Sequence, residues 1–240
     1  MVHPTAIILA AGKGTRLASM KLGVPKPLAP IAGKPFLFYQ LEWLRLSGCR
    51  RVIIAISRHS SEIRKVVGAG SAFKMSIRYS VESEPQGTAT SLRHALPLLP
   101  ASFVVVNGDT ACSYTLADFI ACSFVKKREN TLALVRKPDV KRYGRVVLDA
   151  SSHIVRFIEK GHHGSGLVYA GVSFLQRKAI TSPQNQHATS LEQEVFPALA
   201  RNHELYGMRI QGNFWDIGTP QSYRHFKRTY SSRKPYGHSK

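Results

Sequence analysis

The chain has 240 residues, and its 34 lysines and arginines against 14 aspartates and glutamates give a formal net charge of +20 at pH 7. This length is sufficient for one α/β domain with a substantial core. No run of about 18 apolar residues predicts a membrane span, and no signal peptide is indicated. The three cysteines lack C-x-x-C spacing, which predicts reduced thiols in a cytoplasmic protein rather than a disulfide or zinc framework.

The excess of basic residues is spread along the whole chain, and the segment after Asp216 contains no acid. We predict that residues 229–240 form a solvated basic tail, since charged termini often fray. Weak binding to nucleic acid or to an anionic membrane surface is the alternative. No zinc finger, homeodomain-like helix or RNA-binding aromatic motif is evident, so no specific nucleic-acid partner is expected. A positive field also speeds the association of anionic substrates.

Short β-rich segments alternate with amphipathic segments along the first half of the chain. Alternation at this spacing is typical of βαβ units, in which helices cover both faces of a mostly parallel sheet. Gly48 is expected to end the first helix, since glycine often follows the last helical residue. The predicted strands are Thr5–Ala10, Arg51–Ser57, Ser76–Val81, Phe103–Asn107 and Thr131–Arg136, and the predicted helices are Phe36–Ser47, Ser61–Val67, Thr88–Leu98 and Leu116–Lys127.

The pattern becomes richer in strands after Arg136. The second half is predicted to share one sheet with the first, and Asp149 to Ser152 are expected to connect a β-hairpin. The predicted elements are a hairpin of Val146–Leu148 with Ile154–Phe157, strands at Leu167–Leu175 and Leu205–Ile210, and a helix at Leu191–Ala200.

The loop after the first predicted strand has the composition of a phosphate-binding site. Gly12 and Gly14 allow backbone N–H groups to approach an anion, and the cations Arg16 and Lys26 follow. A dinucleotide fingerprint requires a third glycine where Leu17 stands, and the Walker A sequence is absent. Taken alone, the loop is equally compatible with an ordinary strand-to-helix turn.

Together with Pro25 to Leu28, this loop resembles the signature of sugar-1-phosphate nucleotidylyltransferases. Further matches follow in the order that this family requires, and the resemblance covers roughly Ala6 to Phe226. The later motifs are Glu84 to Ala89 for the base, Val106 to Asp109 for a metal, Arg142 to Gly144 with Glu159 and Lys160 for the sugar phosphate, Tyr169 to Val172 for the sugar pocket, and Trp215 to Pro220 for a second metal ligand.

The resemblance implies a nucleotidyltransferase fold and a set of site residues. Residues 1–228 would form one Rossmann-like domain, with a nucleotide-binding half at 1–136 and a smaller β-rich sugar-binding half at 137–228. The implied roles are catalysis for Arg16 and Lys26, nucleotide binding for Ala11, Gly12, Gly14, Thr15, Gln86, Gly87 and Thr88, sugar-phosphate binding for Gly144, Glu159, Lys160 and Gly171, and metal binding for Asp109 and Asp216.

Mg²⁺ is the cofactor that this resemblance implies, because Mg²⁺ prefers oxygen ligands and often takes one or two carboxylates plus substrate phosphates. From the residues alone, Asp109 is also compatible with a turn residue. Lys26 is compatible with a surface lysine, and Glu159 with Lys160 is compatible with an exposed charge pair. Asp216 lies between Trp215 and Ile217, where an unpartnered carboxylate is costly, and this favours a cationic partner.

The expected substrates are a nucleoside triphosphate and a sugar 1-phosphate. The motifs most resemble D-glycero-α-D-manno-heptose 1-phosphate guanylyltransferases, which supply GDP-heptose for surface polysaccharide such as lipopolysaccharide or capsule. Mannose-1-phosphate guanylyltransferases and N-acetylmuramate-1-phosphate uridylyltransferases remain alternatives. Three positions depart from the heptose pattern, namely Ala11, Gln86 and Leu28.

A non-enzymatic basic protein that binds anions or nucleic acid is the alternative of another class. It predicts polynucleotide binding that weakens steeply with salt and is insensitive to Asp109→Ala. The sequence leaves the oligomeric state open, including a homo-oligomer.

Overall fold

The computed structural model describes residues 4–12, 14, 17, 19–114, 116–125 and 129–231. Thirteen strands occur among these residues. In chain order they are β1 (Thr5–Leu9), β2 (Pro30–Ile31), β3 (Lys34–Pro35), β4 (Arg51–Ser57), β5 (Ser76–Glu82), β6 (Ser102–Asn107), β7 (Thr110–Cys112), β8 (Thr131–Lys137), β9 (Arg145–Leu148), β10 (Ile154–Ile158), β11 (Gly166–Gln176), β12 (Tyr206–Arg209) and β13 (Phe214–Asp216).

Seven α-helices accompany these strands in the described ranges, together with short 3-10 turns and one π-helix at Leu191–Val195. The α-helices are α1 (Phe36–Leu46), α2 (Ser61–Val67), α3 (Thr88–Ala95), α4 (Ala117–Val125), α5 (Lys178–Thr181), α6 (Phe196–Arg201) and α7 (Pro220–Ser231).

Nine strands form one sheet that joins both halves of the chain. Its order is β10-β9-β11-β6-β1-β4-β5, and β8 pairs with β11 and with β12. Strands β5, β4, β1 and β6 are parallel neighbours, whereas β11 runs antiparallel to β6, β8 and β9. The predicted mixed α/β sheet is therefore confirmed, and β11 connects its parallel part to its antiparallel part.

Helices cover both faces of this sheet, as a parallel centre requires. Strand β1 illustrates the arrangement, because Ala6 and Ile8 pack into one apolar cluster and Ile7 packs into the other. Residues of α1, α2 and α4 contribute to the first cluster, and residues of α3, α5 and α6 contribute to the second. A third cluster joins α7 to α1 through Phe226 and Phe36, whose rings lie 5.5 Å apart.

Most predicted elements are found with bounds that agree within one or two residues. Arg51–Ser57 and Ser61–Val67 agree fully, and the first helix ends before Gly48 as expected. Helix α3 is shorter than predicted because its last turn, Leu96–Leu98, tightens into a 3-10 turn. The predicted helix at Leu191–Ala200 begins as a π-helix. Among the described residues, no helix combines the length and apolarity that a bilayer crossing requires.

The division of the chain at residue 228 stays a prediction. Helix α7 continues to Ser231, and residues 232–240 lie outside the described part of the chain.

Candidate active site

The carboxyl ends of β1, β5 and β6 open onto one edge of the sheet, where α/β proteins commonly bind ligands. A cleft of about 390 Å³ lies there. Its lining comprises Leu9, Ala10, Gly12, Gly14, Lys26, Pro27, Thr88, Asn107, Gly108, Asp109, Glu192 and Gly218. The structure thus brings the glycine loop, the predicted base loop and the Asn-Gly-Asp segment together, as the order of the strands predicted.

A tight turn after β6 presents Asp109. Gly108 donates its N–H to the Leu9 carbonyl at 2.9 Å, and a Cβ at Gly108 would lie 2.4 Å from that oxygen. Glycine is therefore required for the turn to pass so close to β1. Gln40 fixes the turn from the other side, since its buried amide donates to the carbonyls of Asn107 at 2.9 Å and Thr110 at 2.7 Å.

Lys26 and Asp109 form an ion pair inside the cleft. The Lys26 Nζ lies 2.6 Å from Asp109 Oδ2, and the two side chains are only 14% and 26% exposed. A pair with this little exposure is screened less by solvent than a surface pair. Lys26 lies in a short 3-10 turn between Pro25 and Pro27, which restrict the backbone on either side.

A second, two-stranded sheet brings Asp216 to the same place. β13 pairs antiparallel with β7, so Asp216 lies opposite Thr110, the residue after Asp109. The Asp216 carboxylate accepts hydrogen bonds from Tyr143 Oη at 3.2 Å, Ser222 Oγ at 3.0 Å and the Gly218 N–H at 3.1 Å. The Arg142 guanidinium adds longer contacts of 3.4 and 3.5 Å.

Both carboxylates and the lysine face the space beside Gly218. A Cβ built on Gly218 would lie 3.1 Å from Asp216 Oδ1, 3.4 Å from Asp109 Oδ2 and 3.6 Å from Lys26 Nζ. Two carboxylates that face one space fit a hard divalent cation such as Mg²⁺, whose remaining ligands would be phosphates and water. No cluster of three or more metal-binding side chains occurs among the residues that the structure describes.

The cleft continues into a wider part of about 640 Å³, which shares Gly12, Gly14 and Lys26 with the first. His59 and Glu84 also line this part, and their side chains contact each other at 3.1 Å. The wider part thus extends from the glycine loop to the beginning of the predicted base loop.

The predicted nucleotide-binding residues divide into three groups. Gly12, Gly14 and Thr88 line the cleft, and Ala11 is buried beside them. Gln86 and Gly87 are exposed on the base loop. Arg16 and Thr15 lie outside the described residues.

The predicted sugar-phosphate residues are assembled around the start and end of the β9–β10 hairpin. A Cβ at Gly144 would lie 2.7 Å from the Ile158 carbonyl, so Arg142 to Gly144 lie against the strand that ends before Glu159. Glu159 and Lys160 are exposed, and neither contributes to the lining of the two cleft parts. Their predicted roles therefore require a ligand or a movement for a test.

Gly171 connects the antiparallel strands to the metal turn. It has φ +72°, and a Cβ there would lie 2.2 Å from Thr110 Oγ1. The register of β11 against β8 shifts between Tyr169 and Ser173. An irregular strand with glycine at this point therefore allows β7 to approach β11 closely.

Sequence reasoning missed Lys137, Gln40 and Glu192. The Lys137 Nζ lies 4.4 Å from the Phe214 ring centroid and donates to the Phe214 carbonyl at 3.2 Å. Burial lowers the pKa of Lys137, while the Asp216 charge acts in the opposite direction. A lysine at a strand end and single polar residues within helices carry no pattern that distinguishes them from surface residues.

Comparisons with known proteins establish the family. The Nucleotidyl transferase family model matches residues 5–233, nearly the whole chain. This protein belongs to that family. The resemblance to sugar-1-phosphate nucleotidylyltransferases that the motifs predicted is thereby confirmed.

Individual relatives point in the same direction. The catalytic subunit beta of mannose-1-phosphate guanylyltransferase from Drosophila pseudoobscura pseudoobscura is 36% identical over 224 residues, which are 91% of this chain and 60% of that protein. The chain thus spans about three fifths of this relative. The crystal structure of HddC from Yersinia pseudotuberculosis complexed with GMP-PN is similar, with a TM-score of 0.81, 30% identity, and coverage of 95% of this chain and 99% of HddC.

A structure from Bacillus anthracis supports the fold alone. It is described as a putative glucose-1-phosphate thymidylyltransferase in complex with a sucrose, and it matches with a TM-score of 0.85 at 21% identity. Coverage is 97% of each chain.

Proposed function

We propose that this protein joins a nucleoside triphosphate to a sugar 1-phosphate, giving a nucleoside diphosphate sugar and pyrophosphate. The observation that carries this proposal is the convergence of Lys26, Asp109 and Asp216 on the space beside Gly218, beneath the glycine loop. Membership of the nucleotidyl transferase family supports it. The non-enzymatic alternative leaves this convergence without a purpose.

The reaction needs positioning and charge neutralisation more than covalent work by the protein. An oxygen of the sugar phosphate forms a bond to the α-phosphorus, the bond from that phosphorus to the bridging oxygen breaks, and pyrophosphate leaves with the electron pair. No general base is required because the attacking phosphate is already ionised. Lys26 offsets the phosphate charge, and we assign Arg16 the same role on the α-phosphate and the leaving group.

Asp109 and Asp216 are the residues that would hold Mg²⁺, as their shared open space fits that ion. When bound, Mg²⁺ would supply neutralisation of the charges on the two phosphate groups. In this structure Lys26 holds Asp109, and Tyr143, Ser222 and Gly218 hold Asp216, so the protein itself fixes both carboxylates in position.

GTP is the nucleotide that we favour. The relatives described above include a mannose-1-phosphate guanylyltransferase and a structure with GMP-PN. For the sugar, we favour D-glycero-D-manno-heptose 1-phosphate on the motifs of the sequence, with mannose 1-phosphate as the first alternative and the UTP-dependent N-acetylmuramate reaction as the second. The product would serve the synthesis of surface polysaccharide.

Pyrophosphate release with Mg²⁺ tests the proposal. GTP, UTP, CTP, ATP and dTTP are each combined with heptose, mannose, glucose and N-acetylmuramate 1-phosphates, and we expect release with GTP and the heptose phosphate. Release with another pair would retain the reaction and change the substrate. No release with any pair, together with salt-sensitive polynucleotide binding, would favour the anion-binding alternative.

A further inference from the structure

One side chain in the 390 Å³ cleft has no role in the chemistry described above. Glu192 lies in the π-helix Leu191–Val195 and lines the cleft together with Thr88 and Asn107. Its Oε2 accepts a hydrogen bond from Thr88 Oγ1 at 2.9 Å, and its Oε1 lies 3.5 Å from Asn107 Nδ2. The carboxylate therefore bridges the predicted base loop and the end of β6.

The backbone around Glu192 is fixed to the same loop. The Leu191 N–H donates to Thr88 Oγ1 at 2.8 Å, and the Ala89 N–H donates to the Thr189 carbonyl at 2.9 Å. Thr88 thus accepts from the residue before Glu192 and donates to Glu192 itself. Two links on one side restrict the carboxylate before any ligand binds, which lowers the entropy cost of using it in recognition.

This part of the cleft is rich in acceptors and poor in donors. The ion pairs that join described residues involve other carboxylates, and none includes Glu192. The Asn107 Oδ1 is buried and has no hydrogen-bond partner. A buried acceptor without a donor is costly, so a ligand that brings donors is favoured here.

The two ends of a nucleotide sugar differ in this respect. Phosphate oxygens are anionic acceptors, and a carboxylate repels them, whereas Lys26 and the backbone of the glycine loop attract them. Ring hydroxyl groups of ribose and of the sugar are donors that a carboxylate binds well. The arrangement around Glu192 therefore suits a hydroxyl group and not a phosphate.

We propose that Glu192 is a specificity-determining residue that accepts a hydrogen bond from a ring hydroxyl of the bound substrates, with Asn107 Oδ1 as a second acceptor. This inference rests on the proposed function. The chemistry is shared by the ribose of the nucleotide and by the ring of the sugar 1-phosphate, and substrates that lack single hydroxyls distinguish the two.

Glu192→Gln is the variant that tests the proposal, because it retains the size of the side chain and an oxygen for Thr88. Initial rates are measured with GTP, 2′-deoxyGTP and 3′-deoxyGTP, and with mannose 1-phosphate and its monodeoxy analogues. For the complete substrates we expect kcat/KM to fall by about 10- to 100-fold, the effect of a hydrogen bond to a charged group. The one analogue that lacks the contacted hydroxyl should lose less than about threefold on substitution.

Glu194→Gln is the matched control. Glu194 lies in the same π-helix, is exposed, and accepts from the backbone N–H groups of Thr189 and Ser190. This change should alter the rates with all substrates equally. It separates loosening of the helix from loss of a ligand contact.

A uniform loss across all substrates for Glu192→Gln, or no loss at all, would overturn the inference while leaving the proposed function intact. If wild-type protein turns over no substrate pair, the proposed function fails by itself, and calorimetric titration with GTP and the two deoxyGTPs decides the inference separately. Equal GTP binding by wild type and variant, or no binding by either, would then also overturn it.

Discussion

The two carboxylates of the cleft are held in different ways. Asp109 follows a central strand, and its carboxylate has one close cationic partner, Lys26 at 2.6 Å. Asp216 lies on a short peripheral strand, and its carboxylate receives donors from a loop, a turn and the first turn of a helix, including Tyr143 and Ser222. The first arrangement depends on the rigidity of the sheet, and the second depends on many separate contacts.

The difference teaches how each side should respond to substitution. At the Asp109 side, removal of one charge leaves the other unpaired in a cleft with little exposure, which costs more than the interaction itself is worth. At the Asp216 side, several donors share the orientation of one carboxylate, so the loss of any one of them should be small. The predictions below follow this order.

Asp109→Asn should have the largest effect. The substitution removes a charge that we assign to cation binding, so kcat should fall by at least about 1000-fold. Loss of the Lys26 ion pair should lower the free energy of unfolding by about 2 kcal/mol, which leaves the protein folded. Pyrophosphate release and thermal unfolding measure the two effects. Asp118→Asn, at an exposed position in α4, is the control, and wild-type kcat for Asp109→Asn would contradict the assignment.

Gly218→Ala should come next, because its methyl group would enter the space between the two sides. The distances of 3.1 Å to Asp216 Oδ1 and 3.4 Å to Asp109 Oδ2 require both carboxylates to move. We expect kcat to fall by about 10- to 100-fold, as for other overpacked sites. Gly218 has no left-handed φ, so the backbone accepts alanine and the melting temperature should change little. Unchanged kcat would show that this space is not used.

Tyr143→Phe should have a smaller effect on turnover. It removes one of several donors to Asp216, and a neutral hydrogen bond contributes about 1 kcal/mol, so kcat/KM should fall by less than about tenfold. Tyr79→Phe removes a hydroxyl that donates to the Gly68 carbonyl, distant from the aspartates, and serves as the matched control. A loss of 100-fold or more at Tyr143 would mean that Asp216 is held as sparsely as Asp109.

Alkaline pH should give the smallest difference. Burial, together with the nearby Asp216 charge, raises the pKa of Tyr143 to about 12 from its ordinary value of 10.0. The folded protein then binds more protons than the unfolded chain between these values, so its stability falls as pH rises through this range. Tyr143→Phe should show a shallower decline between pH 10 and 12 in denaturant titrations. Parallel declines for the two proteins would contradict the raised pKa.

The sequence predicted the parallel strands well because their signal is continuous. Arg51–Ser57 is a buried apolar run that begins and ends at polar residues, and both bounds are correct. Sequence patterns did not identify β7 or β13, since three residues provide no period. The partners of Asp216 were missed for the same reason. The apolar neighbours of this residue indicated a cationic partner, but not that Tyr143, Ser222 and a backbone N–H would supply most of its hydrogen bonds.

Local patterns also could not reveal contacts between distant segments. The motif residues identified Lys26 and Asp109 separately, and only the fold shows that they are 2.6 Å apart. Gln40 appears in the sequence as one polar residue of an amphipathic helix, yet it is buried and fixes the turn that carries Asp109. Exposed Glu159 and Lys160 remain predictions, because a ligand-free cleft gives them no partner to identify.

The pairing of β13 with β7 has a consequence for the nascent chain. A ribosome that has released residues up to 136 has already produced every parallel strand from β1 to β6, together with Asp109, but it has not yet translated Asp216. The second carboxylate arrives only when β13 adds to a strand made about a hundred residues earlier. Unfinished chains therefore cannot assemble a complete centre, and translation itself delays activity until the fold is nearly finished.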